Sequence, residues 1–244
     1  MVSLAFAPAR IVIECMRQVY SMIGIEVEHH VLMNHYPINQ ELNDKTLLTI
    51  FNHYGCKVHD LGANTGLSSG YNYLIQQLNL KDDDIVIGLD LDCYPVTKNY
   101  GQALVKVLRG DRTIGWASLQ NQHSVRELSE RGFTPHTIDG VLVHEAHSAC
   151  VNSICAWSGK FLNNFGGLQE PNKWYGGLEA MSFNKVKQLG FKWVYLPQFE
   201  ERFHFTMQSD RCYIVYKWSL AHLKTTTLDF ASWLAEDSTR EKME

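Results

Sequence analysis

The spacing of apolar and polar residues along the first half of the chain switches repeatedly between a period near two and a period near 3.6. VSLAF, starting at residue 2, is a short apolar run of strand type, and Pro8 opens a helical pattern that continues to about Ile23. HHVLMNHY reads as a second strand closed by Pro37, residues 40–54 as a helix, CKVHDLG as a third strand and SSGYNYLIQQL as another helix. DIVIGLDLD is the fourth strand; a helix near 99–109, the strand TIGWASLQ and a polar stretch from Asn121 to Asp139 follow. Strands alternating with helices predict an α/β fold, with a mostly parallel central sheet flanked by helices and joined by right-handed crossovers. At 244 residues one domain is the simplest arrangement. Residues 206–234 are predicted to be a helical extension, and the charged run AEDSTREKME a mobile tail over 235–244.

Composition narrows the setting. The chain is 45% hydrophobic and 20% charged with a net charge of -4, and its lysines and arginines form no block that would track a phosphate backbone. Strong electrostatic binding of nucleic acid is therefore not expected. The six cysteines are scattered through apolar stretches without a C-x-x-C pair, which fits free thiols in a reducing, cytoplasmic setting. Arg10, Glu14 and Arg17 interrupt the apolar positions near the amino end, so neither a signal segment nor a membrane span is expected there.

The chemistry begins in DDDIVIGLDLDCYP, residues 82–95, where Asp90 and Asp92 close a buried-type apolar run. In a strand, residues two apart point the same way, so the two carboxylates are expected to face one another's side of the sheet. Such a pair repels itself unless a cation or strong donors sit between, and a divalent metal is the natural guest. The other reading is an ordinary solvated strand end, since D-x-D is a short motif. Both acids sit where open α/β sheets place their ligand crevices, beyond the carboxyl ends of the strands, with Pro95 expected to stop the strand.

Three further segments complete a pattern. GANTGLSSGYN carries Asn64, Gly66 and Asn72, FGGLQE spans Phe165 to Glu170, and GLEAMSFNKVKQLGFKWVYLP covers residues 177–197, with His204 following. In order and spacing these resemble the GT-A-fold nucleotide-sugar glycosyltransferases, in particular glycosyltransferase family 2, across residues 1–205. The resemblance implies a GT-A, Rossmann-like domain that moves a sugar from a nucleotide-diphosphate donor to an acceptor hydroxyl, with inversion as the expected outcome and retention as the alternative. It implies that Asp92 ligates Mn²⁺ or Mg²⁺ directly, that Asp90 sits nearer the ribose, that His204 is the third ligand, and that Asn64, Gly66 and Asn72 lie against the nucleotide. There are departures. LMNHYPINQ lacks the acids that follow the second strand in relatives, and Leu178 and Met181 stand where the family's catalytic segment has acids, leaving Glu179.

Glu179 is the candidate general base for the acceptor, with Glu170 as the other carboxylate in reach; equally, Glu179 suits a first-turn helix acid held by the macrodipole. Trp174 and Tyr175 are candidates to stack on an acceptor ring, or they pack in the core. His204, between Phe203 and Phe205, is either a ligand or a satisfied core histidine. HEAHSAC holds His144, Glu145, His147 and Cys150 without the spacing of a helical zinc motif and reads as a polar loop beside the cleft. GANTGLSSG is glycine-rich but lacks the Walker lysine. Two alternatives stand beside the transferase: a nucleotidyltransferase of related fold, although AFAPARIV offers only Arg10 where a basic loop would hold triphosphate, and a non-catalytic nucleotide-sugar-binding module.

Overall fold

Residues 2–5 and 30–33 are buried on both sides, and that is why they fold as interior parallel strands and not as alternating half-exposed ones. The structure, a computed structural model, describes residues 1–37, 40–168 and 178–203. His204, Trp174, Tyr175, Glu170 and the extension and tail assigned to 206–244 lie outside the described residues.

The first half runs β1 (Val2–Ala5), α1 (Ala9–Met22), β2 (His30–Met33), α2 (Gln40–His53), β3 (Lys57–Asp60), α3 (Leu67–Gln77) and β4 (Ile85–Asp90). These strands pair in parallel in the order β3-β2-β1-β4. α1 begins after Pro8, whose fixed φ suits a helix start, and turns Ile11, Val12, Cys15, Met16 and Val19 onto the sheet.

The second half comprises β5 (Cys93–Pro95), α4 (Tyr100–Gly110), β6 (Ile114–Gln120), α5 (Gln122–Arg131), β7 (Phe133–Ile138), β8 (Val141–Ala146), β9 (Ile154–Ser158), α6 (Gly159–Phe165), α7 (Leu178–Gln188) and β10 (Lys192–Phe203). The sheet continues β4-β9-β6-β10-β8-β7; β9 is antiparallel to both neighbours and β6 and β10 are parallel. Helices α1, α2 and α4 cover one face and α3, α6 and α7 the other, each over its own apolar core. The second core holds Trp116 stacked on Trp193 at 4.0 Å and edge-on to Trp157 at 5.3 Å. Gly88 lies under that indole: a Cβ there would come 2.3 Å from Trp157 Cη2. Among the described residues no helix is long and apolar enough to cross a membrane.

Two sequence expectations need correction. The polar stretch from 121 to 139 is ordered as α5 and β7, because Asn121 caps the helix by accepting from His123 N and Ser124 N while Ser124 Oγ accepts from Asn121 N. HEAHSAC is not a loop at its start: His144 and Glu145 belong to β8, which pairs with β7 and β10. His144 stacks on Phe133 at 4.0 Å and His147 shares a 2.9 Å hydrogen bond with Thr134 Oγ1, so packing and strand pairing account for this segment.

Candidate donor and acceptor site

β1, β4 and β2 end together, and the turns that leave them form one rim. β4 stops at Asp90, and Leu91 and Asp92 make the turn into β5. Strand alternation therefore does not orient the pair, as had been expected; the turn does. Pro95 likewise does not end the apolar strand but closes β5, opposite Glu201. Asp92 is 4% exposed and Asp90 is half-buried. Tyr71 OH donates to Asp90 Oδ1 at 3.1 Å. The two carboxylates act on the same neighbours. Burial first, and then the charges of both Asp90 and Asp92, push the Tyr71 phenol and the Cys15 and Cys93 thiols well above their ordinary values.

The resemblance did not mark Glu201, which lies in the last part of β10 and is 1% exposed. Its Oε1 accepts from Asn121 Nδ2 at 2.8 Å and Ser153 N at 3.0 Å, and its Oε2 from Ile154 N at 2.6 Å. Burial pushes its carboxyl up to about 8 against those three bonds, and the charge of Asp90 adds to the rise. The signal was present in the sequence: along FEERF the phase that buries Phe203 also buries Glu201, while Glu200 and Arg202 face out, so an acid stands on the inward side of an alternating strand.

The Asn64–Gly66 turn is built from below by Asn34, at the end of β2. Asn34 Oδ1 accepts from Thr65 N and Thr65 Oγ1, both at 3.0 Å, and Asn64 Oδ1 accepts from Gly66 N at 2.9 Å. Gly66, at φ 78, starts α3 in a backbone conformation that side chains other than glycine disfavour. Asn72 lies nearly two turns further along α3. Its Nδ2 donates to Leu168 O at 2.8 Å and its Oδ1 accepts from Leu168 N at 2.7 Å, so both ends of the amide grip the chain just after the two glycines of FGGLQE. In the loop lacking the expected acids, His35 bridges Asp44 and Asp60, 2.9 Å to each. Burial opposes its charge, yet those two bonds leave its pKa raised.

Glu179 stands in the first turn of α7 and is half-buried. Burial holds its carboxyl above the usual range, and the like charge of Glu127 on α5 adds to this, against a bond from its own backbone N–H. Glu127 Oε2 is itself engaged, accepting from Val151 N at 2.8 Å. Among the described residues no three His, Cys, Asp or Glu side chains converge as a metal-holding group. Asp90 and Asp92 offer hard oxygen donors of the kind that suits Mn²⁺ or Mg²⁺. They put two acids on one turn, an arrangement that a divalent cation relieves, so the donor chemistry fits.

With this arrangement in view, solved structures supply a fold. GalNAc-T7, solved with UDP, GalNAc and Mn²⁺, matches at a TM-score of 0.60 and 15% identity over 82% of this chain and 42% of its own. The mannosyltransferase PcManGT from Pyrobaculum calidifontis, solved with GDP-Man and Mn²⁺, matches at a TM-score of 0.60 and 13% identity over 94% of this chain and 65% of its own. The chain folds as a GT-A domain. It spans less than two thirds of the length of either of these structures. No family model matches the sequence, and neither does any curated protein.

Proposed function

We propose that this GT-A domain is a metal-dependent glycosyltransferase that moves a sugar from a nucleoside-diphosphate donor to an acceptor hydroxyl, with inversion at the anomeric carbon. The observation that carries the reading is the buried Asp92 beside half-buried Asp90 in the turn that ends β4, at the carboxyl rim of a GT-A sheet. Structures sharing the fold were solved with Mn²⁺ and with UDP or GDP-Man. Asp92 and His204 would hold Mn²⁺ or Mg²⁺, and Asp90 would serve the metal and the ribose side of the donor. Such a cation, when bound, stabilises the charge that develops on the leaving diphosphate oxygens. The chain's own groups do the rest. The Asn64–Gly66 turn brings backbone close to the nucleotide, Trp174 and Tyr175 stack on the acceptor, and Glu179 takes the proton of the attacking hydroxyl. A carboxyl raised by burial is better matched to that work near neutral pH than an ordinary one.

Thermal unfolding with UDP and GDP, with and without Mn²⁺, tests this. Stabilisation by a nucleoside diphosphate that requires the metal is expected for the wild type. Asp92→Ala should keep the metal-free melting temperature and lose both that stabilisation and sugar transfer. Metal-dependent binding retained in a folded Asp92→Ala protein would sink the assignment.

A further inference from the structure

Glu201 has no part in the chemistry above, yet it is a fully buried acid with every contact aimed at the walls of the donor site. Its side chain binds the Ser153 and Ile154 amides at the start of β9, and the same Ser153 peptide gives its carbonyl to Asp90 N at 3.1 Å. One peptide unit thus separates the Glu201 carboxyl from the backbone of Asp90. On the other side of the turn, the strand carrying Glu201 pairs with β5, with Glu201 opposite Pro95 and Phe203 opposite Cys93. The turn residues Leu91 and Asp92 are therefore held between two grips that belong to one residue. The third contact, Asn121 Nδ2, ties the same carboxyl to the cap of α5.

We propose that Glu201 is a positioning residue for the donor site, setting the backbone of the Asp90–Asp92 turn through Ser153 from one end and through β5 from the other. For what the turn binds, the proposal rests on the glycosyltransferase reading; for the turn's geometry it stands alone. All three neighbours donate, and a carboxylate, which only accepts, meets all three; burial works against that charge and the three bonds work for it. A glutamine has nearly the same shape but must turn an NH₂ toward either Ile154 N or the Asn121 and Ser153 donors, leaving donor facing donor.

The test uses the full chain, Glu201→Gln and, as a gentler change, Asn121→Ser, which keeps a capping oxygen for α5 but removes one of the three donors. Two quantities are read: amide hydrogen exchange at Asp90 and Ile154, and the Mn²⁺ concentration giving half of the UDP- or GDP-dependent thermal stabilisation. In Glu201→Gln, exchange at both amides should quicken while that of α1 and α3 is unchanged. The half-saturating Mn²⁺ should rise about 10- to 100-fold, the usual effect of losing a group that orients metal ligands. Asn121→Ser should move both in the same direction by less, and it decides the matter if Glu201→Gln does not fold. Unchanged exchange at Asp90 overturns the proposal, and so does a lowered melting temperature with an unmoved Mn²⁺ requirement, which marks a merely structural acid. If the wild type shows no metal-dependent stabilisation, the glycosyltransferase reading falls, while exchange at Asp90 still decides whether Glu201 holds the turn.

Discussion

A carboxyl serves as a base near neutral pH when its surroundings raise its affinity for a proton without locking that proton in place. Glu179 meets the first condition through burial and the nearby charge of Glu127, and its position at the start of a helix keeps it on a rim instead of in a core. If it deprotonates the acceptor, Glu179→Gln should lower turnover by about 10² to 10⁴ while leaving donor affinity nearly unchanged. The sign of the pH dependence follows from the raised pKa. The wild type should lose activity as pH falls, along a limb lying above the ordinary carboxylate range, and that limb should vanish in the variant. Steady-state kinetics across pH measure both. Near-native turnover in folded Glu179→Gln would move the role to another carboxylate such as Glu170. Asp90, Asp92 and Glu179 could be named as candidates from the sequence because each lies within a short segment. For Glu201 only its inward phase could be read there; its role could not, because its partners come from 80, 48 and 47 residues away in the chain and only the fold brings them together.

At the scale of elements, Asn72 shows how a motif residue can belong to the scaffold. The Leu168 backbone uses both ends of its amide, joining α3 to the segment that follows α6. Asn72→Ala leaves a peptide donor and acceptor unpaired, so unfolding in urea should register a loss of about 1–3 kcal/mol, whereas donor affinity should hardly change. A large loss of donor affinity at unchanged stability would return Asn72 to the nucleotide. The first four strands and their helices were readable because each is an apolar run or an amphipathic stretch punctuated by Pro, Gly or polar turns. The second half was less so. β9, ICAWS, is short and carries no mark of its direction; it runs antiparallel between β4 and β6, with the Trp157 indole lying over Gly88. β7 lies at the sheet edge with Ile138 alone buried and its other positions exposed or half-buried, so its polar composition hid a strand.

Across the whole molecule, the two ends of the parallel sheet each bury a titratable group, and the one at the amino end makes stability depend on pH. At the amino end, His29 is 2% exposed and shares hydrogen bonds with Ser3 Oγ at 2.8 Å and Tyr20 OH at 3.1 Å. Burial, with the positive charges of the Met1 amine and His30 adding, lowers its pKa to about 3. The unfolded chain therefore binds a proton at this position, and the folded chain does not, between about 3 and 6.5; stability should rise with pH through that window, at a limiting slope of about 1.4 kcal/mol per unit. At the carboxyl end Glu201 is pulled both ways: burial and the charge of Asp90 favour its protonated form, while its three donors favour the carboxylate. Total stability mixes the two, but a substitution separates them. The unfolding free energy of the wild type minus that of His29→Asn, measured in urea at pH 4.5 and 6.0, should increase by about 2 kcal/mol, because Glu201 contributes equally to both proteins and cancels. A difference that stays constant with pH would show that His29 titrates alike folded and unfolded. A difference that grows as expected assigns this part of the loss of stability in acid to the proton that the buried His29, at the amino end of the sheet, takes up only on unfolding.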